Sequence, residues 1–103
     1  MEINQLRVLC SSSAIKWSAH CMSRMQERDI SRNDVKNCIM DGEIIEDYYE
    51  DFPNPSRLIF GYTIDKRILH VVAGTDMKYL YVITAYYPST DRFEMDLKTR
   101  KER

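Results

Sequence analysis

Six side chains in this sequence have the types and spacing for proton transfer and phosphate binding. His20, Arg24 and Arg28 recur at i, i+4, i+8, so on a helix they form one row bordering an apolar stripe of Trp17, Cys21 and Met25. His70 sits in the middle of Ile68-Leu69-His70-Val71-Val72, and Thr84 and Tyr86 lie toward the end of the apolar run Lys78–Pro88. If the helix packs across the sheet, these groups converge. Such a set suits metal-free cleavage of RNA, in which the 2′-hydroxyl attacks its own phosphate. His20 and His70 would be the acid and base near neutral pH. Arg24 and Arg28 would hold the scissile phosphate, and Thr84 or Tyr86 would orient it. Lys16, Arg57 and Tyr87 are further candidate RNA contacts, through charge and base stacking. The competing readings are ordinary ones: His70 as a core residue with one hydrogen bond, and Arg24 and Arg28 as surface salt bridges to Glu27, Asp29 or the acidic strand.

Other chemistries fit less well. The three cysteines stand at positions 10, 21 and 38, an odd number without tight spacing, which argues against a disulfide framework and a zinc site. With only three glycines there is no phosphate-cradling loop. A Cys–His nucleophile pair lacks a third group to orient it. Neither a metal nor a cofactor is expected.

The elements that must position the six residues are an interior strand and the pieces around it. In Lys78–Pro88, Leu80, Val82, Thr84 and Tyr86 alternate with Tyr79, Tyr81, Ile83, Ala85 and Tyr87 until Pro88 stops the pairing. Ala14–Asp29 reads as a helix that starts near Ser13 or is capped by Ser18. Ser31 and Asp34 form a capping signature for a second helix, which buries Val35, Cys38 and Ile39 and ends at Gly42. Glu43–Glu50, Arg57–Ile64 and Arg67–Ala73 read as three more strands, with Gly61 marking a bulge or a close approach. Residues 1–13 read as a lead-in, frayed or briefly helical. Asp91–Lys101 is a polar tail or short helix from which Phe93 and Leu97 can pack back. The expected fold is α+β: one domain over 14–103, with two N-terminal helices on a four-stranded antiparallel meander.

At 103 residues the chain holds one core, and its 44% apolar and 30% charged residues describe a globular protein. No apolar run approaches the roughly 20 residues of a membrane helix, and the first residues do not read as a secretory signal. A cytoplasmic protein with reduced thiols is expected. The net charge of −1 speaks against a nucleic-acid partner until its distribution is considered. Residues 41–51 hold six of the 16 acidic residues and no basic one, so the rest of the chain has 15 basic against 10 acidic residues. One face can still attract a polyanion.

The runs Ile15-Lys-Trp-Ser-Ala-His20, Met25-Gln-Glu-Arg28-Asp-Ile30-Ser31, Gly42-Glu-Ile-Ile45-Glu-Asp-Tyr48, Leu69-His70-Val-Val72 and Ile83-Thr84-Ala-Tyr86-Tyr87-Pro88 resemble, in this order, a family of small bacterial domains of unknown function. That family is similar to the RelE-like and BrnT-like toxins of type II toxin–antitoxin pairs. The resemblance implies a RelE-like fold and a metal-independent endoribonuclease that cleaves mRNA or tRNA, free or ribosome-bound. It also implies an antitoxin partner carrying a zinc ribbon or helix-turn-helix. The near-neutral charge departs from the basic character of ribosome-dependent toxins. The rival expectation is a non-catalytic domain of the same fold, binding RNA, or binding a protein through its sheet edge and acidic first strand. An exposed edge strand also leaves a homodimer open.

Overall fold

A computed structural model describes residues 3–101 of the chain. The α+β class holds, with three helices and a five-stranded mixed sheet. In chain order the elements are α1 (Ile3–Ser11), β1 (Ile15–Trp17), α2 (Ala19–Glu27), α3 (Arg32–Asp41), β2 (Glu43–Tyr48), β3 (Ser56–Tyr62), β4 (Ile68–Thr75) and β5 (Leu80–Tyr86). The sheet order is β1-β5-β4-β3-β2; β1 runs parallel to β5 and every other neighbour is antiparallel. Among the described residues no helix is long and apolar enough to cross a membrane.

The meander of four antiparallel strands is present, and two differences lie at its N-terminal side. The expected helix over Ala14–Asp29 begins only at Ala19, because Ile15, Lys16 and Trp17 pair with Leu80, Tyr81 and Val82 as a fifth strand. Ser18 then caps α2, its side chain accepting from the Cys21 amide at 3.0 Å. Within the expected lead-in of residues 1–13, Ile3–Ser11 is a third helix that buries Leu6 and Cys10 against the core; residues 1 and 2 lie outside the described part. Ser12 and Ser13 end it, with Ser13 in the left-handed region at φ 60°.

The second helix follows its sequence signature. Ser31 Oγ accepts from the Asp34 amide and Asp34 Oδ2 accepts from the Ser31 amide, both at 3.0 Å, while Gly42 caps the other end. Its buried face is Val35, Cys38 and Ile39. These join Cys21, Met25, Ile59, Leu69, Val71, Val82 and Ala85 in the core between helices and sheet. Gly61 marks a close approach rather than a bulge: a Cβ there would lie 2.6 Å from the Cys38 carbonyl oxygen and 2.8 Å from its sulfur. The bulges lie elsewhere, at Ile44/Glu46 in β2 and at Val72/Ala73 between β4 and β5.

The tail is not a helix. Asp96 Oδ1 accepts from the Lys98 and Thr99 amides at 2.9 Å, a local turn that competes with helix formation. Leu97 turns through φ 57°, and Phe93 and Arg100 are bridged across the resulting strap. Phe93, buried to 2% exposure, packs the strap onto the sheet face opposite the helices.

Candidate functional site

Alternation in β4 decides where His70 goes. Leu69 and Val71 face the helices, so His70 between them faces the other way. Register places Phe60, His70 and Tyr86 in one row across β3, β4 and β5. The strap closes over that row and leaves His70 at 0% exposure. Nε2 lies 2.7 Å from the Leu97 carbonyl oxygen, which accepts its hydrogen and so assigns the Nε2–H tautomer. Nδ1 is then a lone pair facing the Tyr86 hydroxyl at 3.3 Å, and the hydroxyl donates to it. Phe93 meets the ring edge-on with centroids 4.7 Å apart. Burial pushes the imidazole below its ordinary value and outweighs the Leu97 carbonyl and Glu46, which favour the charged form; Arg100 reinforces the lowering. The ring is neutral at pH 7. Burial also raises the Tyr86 phenol, which Arg100 and Arg92 pull back down.

β1 ends at the Trp17–Val82 pair, so the edge of β5 beyond it is open. Arg28, at the C-cap of α2, reaches across that edge: Nη1 donates to the Ala85 carbonyl at 2.9 Å and to Thr84 Oγ1 at 3.4 Å. The Tyr87 hydroxyl donates to the Asp29 carbonyl at 3.0 Å, and the Arg67 guanidinium stacks 3.9 Å from the Tyr87 ring. Between this edge and the strap lies a cleft of about 420 Å³ lined by Arg28, Tyr86, Tyr87, Arg92, Phe93 and Arg100. Arg100 is fixed by Glu46 through Nε at 3.1 Å and Nη2 at 3.0 Å. Arg92 is exposed and forms no ion pair among the described residues. Arg28, Arg92 and Arg100 thus line one cleft together with Tyr86, an arrangement suited to a phosphate or another planar anion.

The structure brings together Arg28, His70, Thr84, Tyr86 and Tyr87 of the residues singled out from sequence. His20 is exposed on α2, on the far side of the sheet from His70, because α2 packs through Cys21 and Met25 against the helix-covered face. Arg24 pairs with Glu27 at 3.2 Å, as the ordinary reading of that row expects. Lys16 stands over Tyr79 at 4.4 Å and pairs with Tyr81, toward the other end of β5 from Tyr86. Arg57 is 5% exposed, bound to Asp47 at 2.7 Å, and lies at the end of β3 away from the cleft. Arg92, Arg100 and Glu46 were not singled out. The available signal was Phe93 and Leu97, apolar residues in a polar tail, whose docking carries Arg92 and Arg100 with it. All three cysteines are buried, and burial pushes the Cys38 thiol up to about 12, which leaves it unreactive.

The neutral, enclosed state of His70 has a pH signature. Its folded value lies below the unfolded 6.5, so its full stabilisation is present above pH 6.5 and is lost as pH falls through the folded value. The carboxylates held low by hydrogen bonds, Asp34 and Glu46 among them, lose theirs only nearer pH 4. Urea unfolding at pH 7.5 and 5.5 is expected to show a loss of stability for the wild type and a smaller one for His70→Gln. Equal losses would place the proton uptake elsewhere.

A small α+β domain with an arginine-lined cleft at an open sheet edge is the class that fold and site define. A family model described as a domain of unknown function, DUF4258, matches residues 17–87, and the chain belongs to that family. The match takes in Arg28, Glu46, His70, Tyr86 and Tyr87, while the strap lies beyond it. No curated protein and no solved structure matches the chain significantly.

Proposed function

We propose that this protein is a metal-independent endoribonuclease, the toxin of a type II toxin–antitoxin pair, held in check in the cytoplasm by a cognate antitoxin. One observation carries the reading: Tyr86, whose hydroxyl is backed by the neutral Nδ1 of His70, lines a cleft with Arg28, Arg92 and Arg100. In the cleavage step the RNA 2′-oxygen attacks phosphorus while its proton passes to the Tyr86 oxygen. The Tyr86 proton moves to His70 Nδ1, and the Leu97 carbonyl supports the resulting imidazolium through Nε2–H. The arginines stabilise the phosphorane charge. The 5′-oxygen leaves and takes a proton from solvent in the open cleft, giving a 2′,3′-cyclic phosphate and a 5′-hydroxyl. His20 and Arg24 stand outside this step.

The test is cleavage of RNA in EDTA, with free transcripts and with translating ribosomes. Cyclic-phosphate ends are expected, with at least a tenfold loss in Arg92→Ala, whose exposed side chain is not needed for folding, and a change within about twofold in His20→Ala. A large loss in His20→Ala would return the acid–base role to that residue. The enclosure of His70, with both ring nitrogens partnered, favours a second reading, an RNA-binding domain without cleavage. RNA left intact under both conditions, yet bound in a salt-dependent way, would decide for it.

A further inference from the structure

The acidic run of residues 41–51 is only partly solvated surface. Glu43 meets Lys98 at 3.4 Å, Asp47 meets Arg57 and Glu46 meets Arg100. Of these three pairs, only Glu46–Arg100 reaches the cleft. Its geometry depends on a local irregularity. Ile44 pairs with Ile59, whose side chain is in the helix-side core, and strict alternation would put Glu46 on that same face. The bulge between Ile44 and Glu46 shifts the register so that Glu46 pairs with Leu58 and faces the strap. Re-aiming one side chain is what bulges beside sites do.

We propose that Glu46 is a positioning residue of the cleft, turned onto the strap side by the bulge so that it fixes Arg100 for an incoming phosphate. The inference rests on the reading of the cleft as an RNA phosphate site. The carboxylate is held from both sides. Oε1 accepts from the Tyr48 hydroxyl at 2.5 Å and from Arg100 Nη2, Oε2 accepts from Arg100 Nε, and the Phe93 ring lies 4.8 Å beneath the guanidinium. Two bonds through Nε and Nη2 leave the Nη1 side of the fork unclaimed by Glu46. A flexible arginine at a cleft mouth would have to be ordered when the anion arrives; here that ordering precedes binding.

The probe is a fluorescein-labelled 2′-O-methyl RNA oligonucleotide, which lacks the attacking hydroxyl, followed by anisotropy at fixed salt. Glu46→Gln is expected to weaken its binding about tenfold, ~1.4 kcal/mol, despite removing a negative charge. Arg100→Lys, which keeps the charge but loses the fork, should lose a similar amount. The double variant should be no worse than either, a non-additivity that a general loosening of the fold would not produce. Far-UV circular dichroism and an NMR titration of His70 that stays below the ordinary histidine range check that the strap remains seated. Unchanged or tighter binding by Glu46→Gln overturns the inference, tighter binding meaning that the carboxylate competes with RNA for Arg100. Additive losses overturn it as well. If Arg92→Ala and Arg100→Ala bind weakly while Glu46→Gln does not, the inference alone fails. If none of the three loses affinity, the cleft reading fails with it.

Discussion

Gly61→Ala is expected to lower the melting temperature by roughly 10–25 °C. The substitution looks mild, since the position is buried in β3 with no positive φ to demand glycine. The obstacle is space. The new methyl would sit 2.6 Å from the Cys38 carbonyl oxygen, 2.8 Å from its sulfur and 2.9 Å from its Cα. Two of those three atoms are helix backbone, so a rotamer change cannot relieve the clash. Helix α3 is also pinned beside this point, where Asn37 Nδ2 donates to the Tyr62 carbonyl at 2.8 Å. Moving the helix costs about 3 kcal/mol, near the upper end for overpacking. At about 4–8 °C per kcal/mol for a domain of this size, the shift follows. Gly74→Ala is the comparison, because its nearest obstacle is the Pro55 carbonyl oxygen at 3.0 Å and the other neighbours lie near 3.7 Å. Thermal melts of the two variants side by side check the argument. A fall below about 5 °C for Gly61→Ala would mean that α3 yields more easily than its contacts imply.

Tyr86→Phe is expected to reduce single-turnover RNA cleavage at least a hundredfold, within the usual range for loss of a general acid or base. Affinity for the 2′-O-methyl oligonucleotide should stay within about threefold. The ring keeps its place beside His70, with centroids 5.3 Å apart, and the arginines are untouched. What disappears is the oxygen between the cleft and His70 Nδ1. Burial alone would make a phenol a poor proton donor to solvent, and it does raise Tyr86. The neutral imidazole behind it supplies an acceptor that needs no solvent. Cleavage retained within tenfold of wild type would show that the proton leaves by another route.

Local rules were most legible where one residue decides the outcome. Ser31, Asp34 and Gly42 delimit α3 through capping chemistry confined to a few residues, and Pro88 ends the run of β5. Alternation in residues 68–73 sets His70 opposite Leu69 and Val71, but which of these two faces the helices cover is decided by the whole sheet, and the expected meeting of His70 with His20 does not occur. β1 was hidden by coincidence. Trp17, Cys21 and Met25 have helical spacing, yet Trp17 belongs to a strand whose partner, Val82, is remote in sequence. Pairing of that kind leaves no local trace. The supposed row of His20, Arg24 and Arg28 divides for a related reason: Arg28, at the helix end, can reach over the strand edge, whereas the other two face outward. The strap escaped because an Asp96 turn and a left-handed Leu97 have no period. Glu46 escaped because a bulge exchanges the two faces of a strand that otherwise alternates.

The parallel pairing of β1 with β5 also sets an order of events during synthesis. The segment Ile15–Trp17 is translated early but has no neighbour until Leu80–Val82 has left the ribosome. Closing a loop of that length is slow and comes after the local hairpins. The β2–β3–β4 ribbon can form first, with α3 laid across it. The nascent chain therefore holds a helix-backed ribbon with an unfilled place at one side. The strap that carries Arg92 and Arg100 follows still later. The cleft is therefore complete only once the segment through Arg100 has left the ribosome.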